Sequence, residues 1–433
     1  MRIPAGRARS LKTRCRYGPP LPDAKGAPLI YRARYLVTMA GPPIPDGWMR
    51  VHADRITYIG DATDFSPAAG EEVMDFSDSI LLPGLINAHC HLELGMLRGL
   101  LPHGGGFSAW VARLRKLLAD TAPEDYRQAV RLGALECLKH GTTTVVDVGN
   151  TGEALRALAE SPIRSFPNLE LIGLDPLKAH EIVERAWDAT ASYSAASDRM
   201  HPGLACHAPY SCSVELLRLV AQAASTQAGP FTMHVAESAE ESDLFQNGTG
   251  ALLDFCRSIY PAAHPHRYAD PVVFLQGQGL IPEGALFAHC NTVDREGART
   301  LAARKVSVAH CPRSRDFFGH PDFPLDLLLS EGVNICLGTD SLASNDGLSL
   351  FDEMAEFRLA HPQAAGRDIL AMATANAALA LGREDLGCLR PGSLADFIAL
   401  ELRSDPCPDL YEEIVVEEHD VSLVVVGGEE LVC

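Results

Sequence analysis

No run of about 18 apolar residues occurs anywhere in this sequence, which excludes a membrane-spanning helix. Basic charge is also scarce: 37 Lys and Arg stand against 56 Asp and Glu, a formal net charge of -19. That field repels phosphate backbones and anionic lipid surfaces, so neither nucleic acid nor membrane is an expected partner. Residues 1–27 carry Arg2, Arg7, Arg9, Lys12, Arg14 and Arg16 but no apolar h-region. A secretory signal is excluded on that ground, and a disordered basic leader is expected instead.

Twelve cysteines are scattered through 433 residues, without the density of a short disulfide-stapled scaffold. Cys90, Cys206, Cys290 and Cys311 each sit beside a histidine. Neighbours on a strand face opposite ways, so histidines lining a lumen would turn these thiols into the apolar layer behind. Reduced thiols in a cytoplasmic protein are expected.

Residues 28–82 read as short strands, Leu29–Met39 and Met49–Ile59, around a Pro/Gly loop at Gly41–Gly47. Apolar strand-like runs then alternate with helical periodicity: Ile80–His91, Thr143–Val148, Leu169–Leu174, Gly203–Ala208, Phe231–Ala236, Leu286–His289, Val306–His310 and Val333–Thr339. Helices are expected at Pro123–His140, Ala186–Ala196, Ser213–Gln227, Leu350–Ala360 and Arg367–Leu381, the first with Pro near N1 and a stop at Gly141. This alternation predicts an α/β fold, a (β/α)8 TIM-like barrel over 83–387. Strand patterning returns at Phe397–Leu402 and Val421–Val426, so 28–82 and 388–433 are expected to form a small composite β-sandwich.

The chemistry gathers where a barrel places it, at the C-terminal ends of strands. His89-Cys90-His91 closes the first barrel strand, and period-two geometry puts both imidazoles on one face. His234 ends the fifth and Asp340 the eighth. Three histidines and a carboxylate suit one divalent ion, Zn2+ first and Fe2+ as the other candidate. Such an ion lowers the pKa of water to about 7. Glu237 follows His234 on the loop above; it is either a proton shuttle or a solvated loop acid. His289 either steers the water and substrate or is a satisfied core histidine. His310 either shapes the pocket or holds its loop by hydrogen bonds, and His207 would meet substrate or a second metal. Glu93 shares the inward parity of His89 and His91 and would line the pocket.

Two further absences narrow the site. The stretch Cys206–Cys212 contains no lysine to bridge a binuclear centre, so one metal is expected. His91-Leu92-Glu93 imitates half of a cytidine-deaminase signature, but no Pro-Cys-x-x-Cys follows.

Together the segments Leu82–His91, Gly141–Thr144, Met233–Glu237, His310–Ser314, Gly338–Ser341 and Gly392–Asp396 resemble the amidohydrolase superfamily, in its chlorohydrolase and aminohydrolase branch. The resemblance spans Tyr35 to Leu400. Within it the chain is most similar to aminofutalosine deaminases, then to S-adenosylhomocysteine and methylthioadenosine deaminases, through Glu93, His207–Ser211 and Ser344-Asn345. It implies metal ligation by His89, His91, His234 and Asp340, and proton transfer by Glu237 and His289 with Asp340 steadying developing charge. Substrate contacts would come from Glu93, Trp110, His207, His310 and Ser341. Arg315 stands where the family usually has Asn.

The expected activity is hydrolytic release of ammonia from an aminopurine nucleoside or related amino-heterocycle. The same constellation serves cyclic amides and chloro- or amino-triazines, and a metal-binding scaffold without catalysis is the third reading. A small molecule is the expected partner, and a homodimer the default assembly.

Overall fold

The apolar run Ile80–Cys90 serves two sheets. In the computed structural model, which describes residues 28–431 apart from 64, 69, 70, 103, 194, 195, 264–267, 406 and 418, this run breaks at Gly84. The expected leader, 1–27, lies outside the described residues. The strands are β1 (Leu29–Leu36), β2 (Ile44–His52), β3 (Arg55–Asp61), β4 (Glu72–Pro83), β5 (Leu85–Cys90), β6 (Thr142–Gly149), β7 (Arg164–Ser165) and β8 (Asn168–Leu171). They continue with β9 (Gly203–Cys206), β10 (Thr232–Val235), β11 (Leu286–His289), β12 (Ser307–His310), β13 (Asn334–Leu337), β14 (Phe397–Glu401), β15 (Val421–Val426) and β16 (Glu429–Leu431). A Cβ on Gly84 would lie 2.2 Å from the Thr143 hydroxyl, so only glycine lets the chain pass from β4 to β5 against β6. Pro83-Gly84 is the signal that the expected single strand Ile80–His91 overran.

Both chain ends build one mixed seven-stranded sheet in the order β16-β15-β14-β4-β1-β2-β3. Its β2 begins at Ile44, inside the expected Pro/Gly loop, because pairing with β1 outweighs local turn composition. Alternation gives the sheet two apolar faces. Ile80, Leu82, Ile398 and Val424 join the large core, while Leu81, Phe397, Ala399 and Val425 join a smaller one with Tyr31, Met49 and Ile56.

The remaining strands form two parallel sheets, β5-β6-β8-β9 and β10-β11-β12-β13, with β7 paired to β6. Main-chain bonds also join their ends: His234 N donates to His207 O at 2.9 Å, and Thr339 N and Asp340 N donate to His89 O at 3.0 and 3.1 Å. Helices connect the strands, as expected of parallel pairing. The helix Pro123–Lys139 has Pro at its first turn, and Val214–Ala223 is capped by the Ser213 hydroxyl. The Ala-rich helix runs Ala179–Ala191, earlier than expected. The predicted Arg367–Leu381 is two helices, Gly366–Met372 and Ala375–Ala380, because Thr374 leaves helical geometry at φ -136° and ψ -95°. Among the described residues ten cysteines are free, eight of them buried, and no helix is long and apolar enough to cross a membrane.

One buried ion pair ties β7 to the end sheet. Arg164 Nε and Nη2 donate to Asp396 at 2.7 and 3.1 Å, and Gly427 N donates to the same carboxylate at 2.6 Å. Both side chains are 4% exposed, so removing one strands the other's charge. Asp396→Ala is expected to lower stability by about 3–5 kcal/mol. Urea unfolding followed by circular dichroism checks this, and an unchanged midpoint would show that the pair carries no such load.

Candidate metal centre and active site

The three strands β5, β10 and β13 deliver the donor side chains. His89 and His91 lie at and just beyond the end of β5, His234 lies in β10, and Asp340 follows β13. Asn87 binds β5 to β13: its amide donates to the Thr339 hydroxyl at 2.8 Å, and its carbonyl accepts from His89 N and Thr339 N at 3.3 and 3.2 Å. Close packing holds the same junction. A Cβ on Gly338 would lie 2.6 Å from His89 O.

His91 Nε2 and His234 Nε2 lie 3.0 Å apart, and Asp340 Oδ1 is 3.7 Å from His91 Nε2 and 4.0 Å from His89 Nε2. His234 Nδ1 is 2.8 Å from the His207 carbonyl, which only accepts, so Nδ1 carries the proton and Nε2 offers a lone pair. Both ring nitrogens of His89 are buried without a hydrogen-bond partner. A buried polar group left bare is costly unless something else satisfies it. His89, His91 and Asp340 present donor atoms within 4.8 Å of one another, as do His89, His234 and His289. The donor set fits a divalent metal ion.

Electrostatics agree with ligation. Burial, reinforced by His234 and His91, drives His89 well below its ordinary pKa, and burial also lowers His91 and His234. Neutral imidazole is the ligating form. Burial pushes Asp340 up, but His289, His91 and the Ser314 hydroxyl outweigh it and hold the group below its usual value. Ser314 Oγ and Ser344 Oγ donate to Asp340 Oδ2 at 2.6 and 3.0 Å, leaving Oδ1 turned toward the histidines. Four residues at the strand ends, Ala236, His289, Cys290 and Asp340, have φ between 52° and 71°. Non-glycine residues rarely hold this conformation, and strain of this kind collects at functional sites.

Glu237 is buried, which separates it from the solvated acid it could have been. Its backbone N–H donates to Glu241 at 2.8 Å, and its carbonyl accepts from Asn291 at 3.0 Å. Burial above all lifts its carboxyl to about 8, so it holds a proton near neutrality. Its Oε1 lies 3.9 Å from His289 Nε2 and 3.6 Å from His320 Nε2. Glu240, by contrast, receives Phe107 N and Ser108 N at 2.8 and 3.0 Å, capping the helix Phe107–Leu118.

A cavity of about 470 Å³ opens above these groups. His91, His207, His234, Glu237, His289, Asp340, Glu93, Trp110 and Ser341 all line it. His207 Nδ1 is 2.7 Å from the Ser211 hydroxyl. Glu93 accepts from Asn150 N at 2.8 Å and from the Thr151 hydroxyl at 2.7 Å. His89 sits behind the cavity wall. His310 is outside the lining as well; its ring stacks on Phe323 at 3.9 Å. Arg315 forms ion pairs with Asp316 and Asp322 at 2.9 and 3.0 Å and does not line the cavity.

Sequence reasoning missed two residues here. Glu170, in β8, lines the cavity and lies 3.6 Å from His234 Nδ1. An acid inside the apolar strand Asn168-Leu-Glu-Leu171 was the available signal, since carboxylates are rarely buried without a partner. His320 offered none, because its approach to Glu237 depends on the turn at Gly319 after the helix Pro312–Phe318.

Residues behind the candidate ligands hold them in place. Ser314→Ala removes a hydroxyl that orients Asp340, and a loss of about 10- to 100-fold in metal affinity is expected. Competition against a chelating dye measures it; wild-type affinity would show that Ser314 does not position the carboxylate.

Comparisons with known proteins agree on the family and the fold. The chain is 31% identical over 424 residues to a 5-methylthioadenosine/S-adenosylhomocysteine deaminase of Moorella thermoacetica, covering 92% of each protein. It is 28% identical over 422 residues to the deaminase of the same name from Pelotomaculum thermopropionicum, covering 93% of this chain and 92% of the relative. Among solved structures, Helicobacter pylori aminofutalosine deaminase in complex with methylthio-coformycin superposes with a TM-score of 0.83 at 22% identity, over 93% of this chain and all of the other. That likeness shows the fold, a TIM-like barrel. The model of the amidohydrolase family matches residues 80–431, and the protein belongs to that family.

Proposed function

We propose that this protein is a metal-dependent deaminase that releases ammonia from an aminopurine nucleoside. The observation that carries the reading is the buried Glu237, set beside His289 and two groups of three donors that share His89, at a cavity of about 470 Å³. That volume lies within the range of small-molecule pockets. The names of the relatives at 28–31% identity, all deaminases of adenine nucleosides, support the same class.

On this reading His89, His91, His234 and Asp340 hold one ion, zinc by donor type, with ferrous iron the other candidate. Bound there, a divalent ion supplies Lewis acidity and lowers the pKa of water to about 7. Glu237, protonated by its burial, gives its proton to the ring nitrogen beside the amino-bearing carbon and takes one from the attacking water in its place. His289 hydrogen-bonds the incoming oxygen and steadies the charge that develops there, while Asp340 accepts a hydrogen bond from it. The carbon–nitrogen bond then breaks, the amine leaves as ammonia with the second proton of water, and a ring carbonyl remains. His207, Glu93, Trp110 and Ser341 contact the substrate from the walls. We read the two parallel sheets as arcs of one closed eight-stranded barrel, supported by the Cys90–Asp340 bridge and the His234–His207 hydrogen bond. The seven-stranded sheet reads as the curled sandwich beside it, supported by its second apolar core.

Zinc-loaded protein is expected to release ammonia from at least one of adenosine, 5'-methylthioadenosine, 5'-deoxyadenosine, S-adenosylhomocysteine or aminofutalosine in a coupled assay. Silence across all five with metal content confirmed rejects the deaminase assignment. Glu237→Gln is expected to keep the metal while losing about 100- to 10,000-fold in kcat. Unchanged turnover in that variant would remove Glu237 from proton transfer.

A further inference from the structure

The cavity is divided between two chemistries. Its inner part, built by strand ends and the loops after them, carries Glu93, Glu170, Glu237 and Asp340. Its outer wall comes from the helices Phe107–Leu118 and Ala251–Ile259 and is apolar: Trp110, Leu114, Leu118, Phe255 and Ile259, closed by Phe318 packed edge-on against Trp110 at 4.8 Å. Arg115 is the one Lys or Arg among the lining residues, and its guanidinium lies over the Phe255 ring at 5.8 Å. Apart from Arg115, turned over that ring, the lining carries no Lys or Arg to pair a phosphate or a carboxylate.

Of the inner carboxylates, Glu170 alone is not accounted for. Glu93 is held by Asn150 and Thr151, Asp340 by Ser314 and Ser344, and Glu237 has its place in proton transfer. Glu170 is 7% exposed, and its Oε1 is buried with no hydrogen-bond partner. His234 Nδ1, 3.6 Å away, already donates to the His207 carbonyl. Because Glu170 also lines the cavity, a donor brought by the ligand would satisfy this carboxyl group. A second metal is disfavoured at Glu170, His207 and His234, because the nitrogen His234 turns that way carries its proton.

Resting on the nucleoside reading, we propose that Glu170 accepts a hydrogen bond from a ribose hydroxyl and that the outer wall selects an uncharged, apolar 5'-substituent. The order follows from the molecule's own length. With the amino-bearing carbon at Glu237, the sugar falls in the middle and the 5'-end reaches the two helices. A charged 5'-group would be desolvated there among Trp110, Leu114, Leu118, Phe255 and Ile259, with Arg115 held over the Phe255 ring.

Two measurements test this. In the first, zinc-loaded wild type is assayed on a 5'-alkylthioadenosine series, S-adenosylhomocysteine and adenosine 5'-monophosphate. The expected kcat/KM rises about fourfold per methylene from methylthio to propylthio. It falls about 100-fold or more for the monophosphate, with the zwitterion between. Equal or better turnover of the charged compounds overturns the selection. In the second, Glu170→Leu, which removes the acceptor, is compared with wild type on adenosine and on 2',3'-dideoxyadenosine. Loss of the carboxylate should raise KM for adenosine about 10- to 100-fold with little change in kcat, and should have almost no effect on the dideoxy compound. A fall in kcat at constant KM, a loss of bound metal, or an equal effect on both nucleosides would each overturn the contact and make Glu170 a support for His234. If no nucleoside releases ammonia at all, the deaminase reading fails and this inference with it; a wrong selectivity pattern leaves that reading standing.

Discussion

Everything at this centre depends on one constraint: several buried nitrogen and oxygen donors must lie close together without the protein satisfying all of them. His89 shows it most plainly, since neither ring nitrogen has a hydrogen bond although the residue is 1% exposed. A fold optimised for stability alone would not leave an imidazole bare at that depth. The cost is offset only when something binds to the lone pair, and the cluster of His91, His234 and Asp340 around it says what kind of species that is.

The scaffold concentrates its rigidity on that requirement. Hydrogen bonds from Asn87 lock β5 to β13, and the absence of a side chain at Gly338 lets the two strands touch. Hydroxyls of Ser314 and Ser344 occupy one oxygen of Asp340 and so aim the other. Positive φ at Ala236, His289, Cys290 and Asp340 turns the chain sharply where each strand ends, which exposes side chains to the cavity instead of continuing the ladder. Glu353 does similar work one layer out. It accepts from Asn345 and from Arg313 N, joining the loop after β13 to the helix after β12.

Much of this was legible in the sequence, and the reason is periodicity. His89 and His91 at spacing two, and strand runs of four to six apolar residues ending in His or Asp, register correctly because strand geometry allows few alternatives. Leu286–His289 and Val421–Val426 match their predicted bounds for that reason. The errors lie where long-range pairing overrides local composition: β2 begins inside a Pro/Gly stretch, and β4 and β5 split a run that reads as continuous. Side chains brought in by loops were the least visible. His320 reaches Glu237 only after a left-handed turn at Gly319, and no local pattern predicts where such a turn delivers its neighbour. Glu170 was visible as an acid in an apolar strand, but its vacant acceptor is a tertiary fact.

The most direct measurement is anomalous diffraction at the zinc edge from crystals of the metal-loaded protein. The account predicts one peak bonded to His89, His91, His234 and Asp340, at about 2.0–2.2 Å from each. No peak there, or an ion held instead by Glu170 and His207, would contradict it.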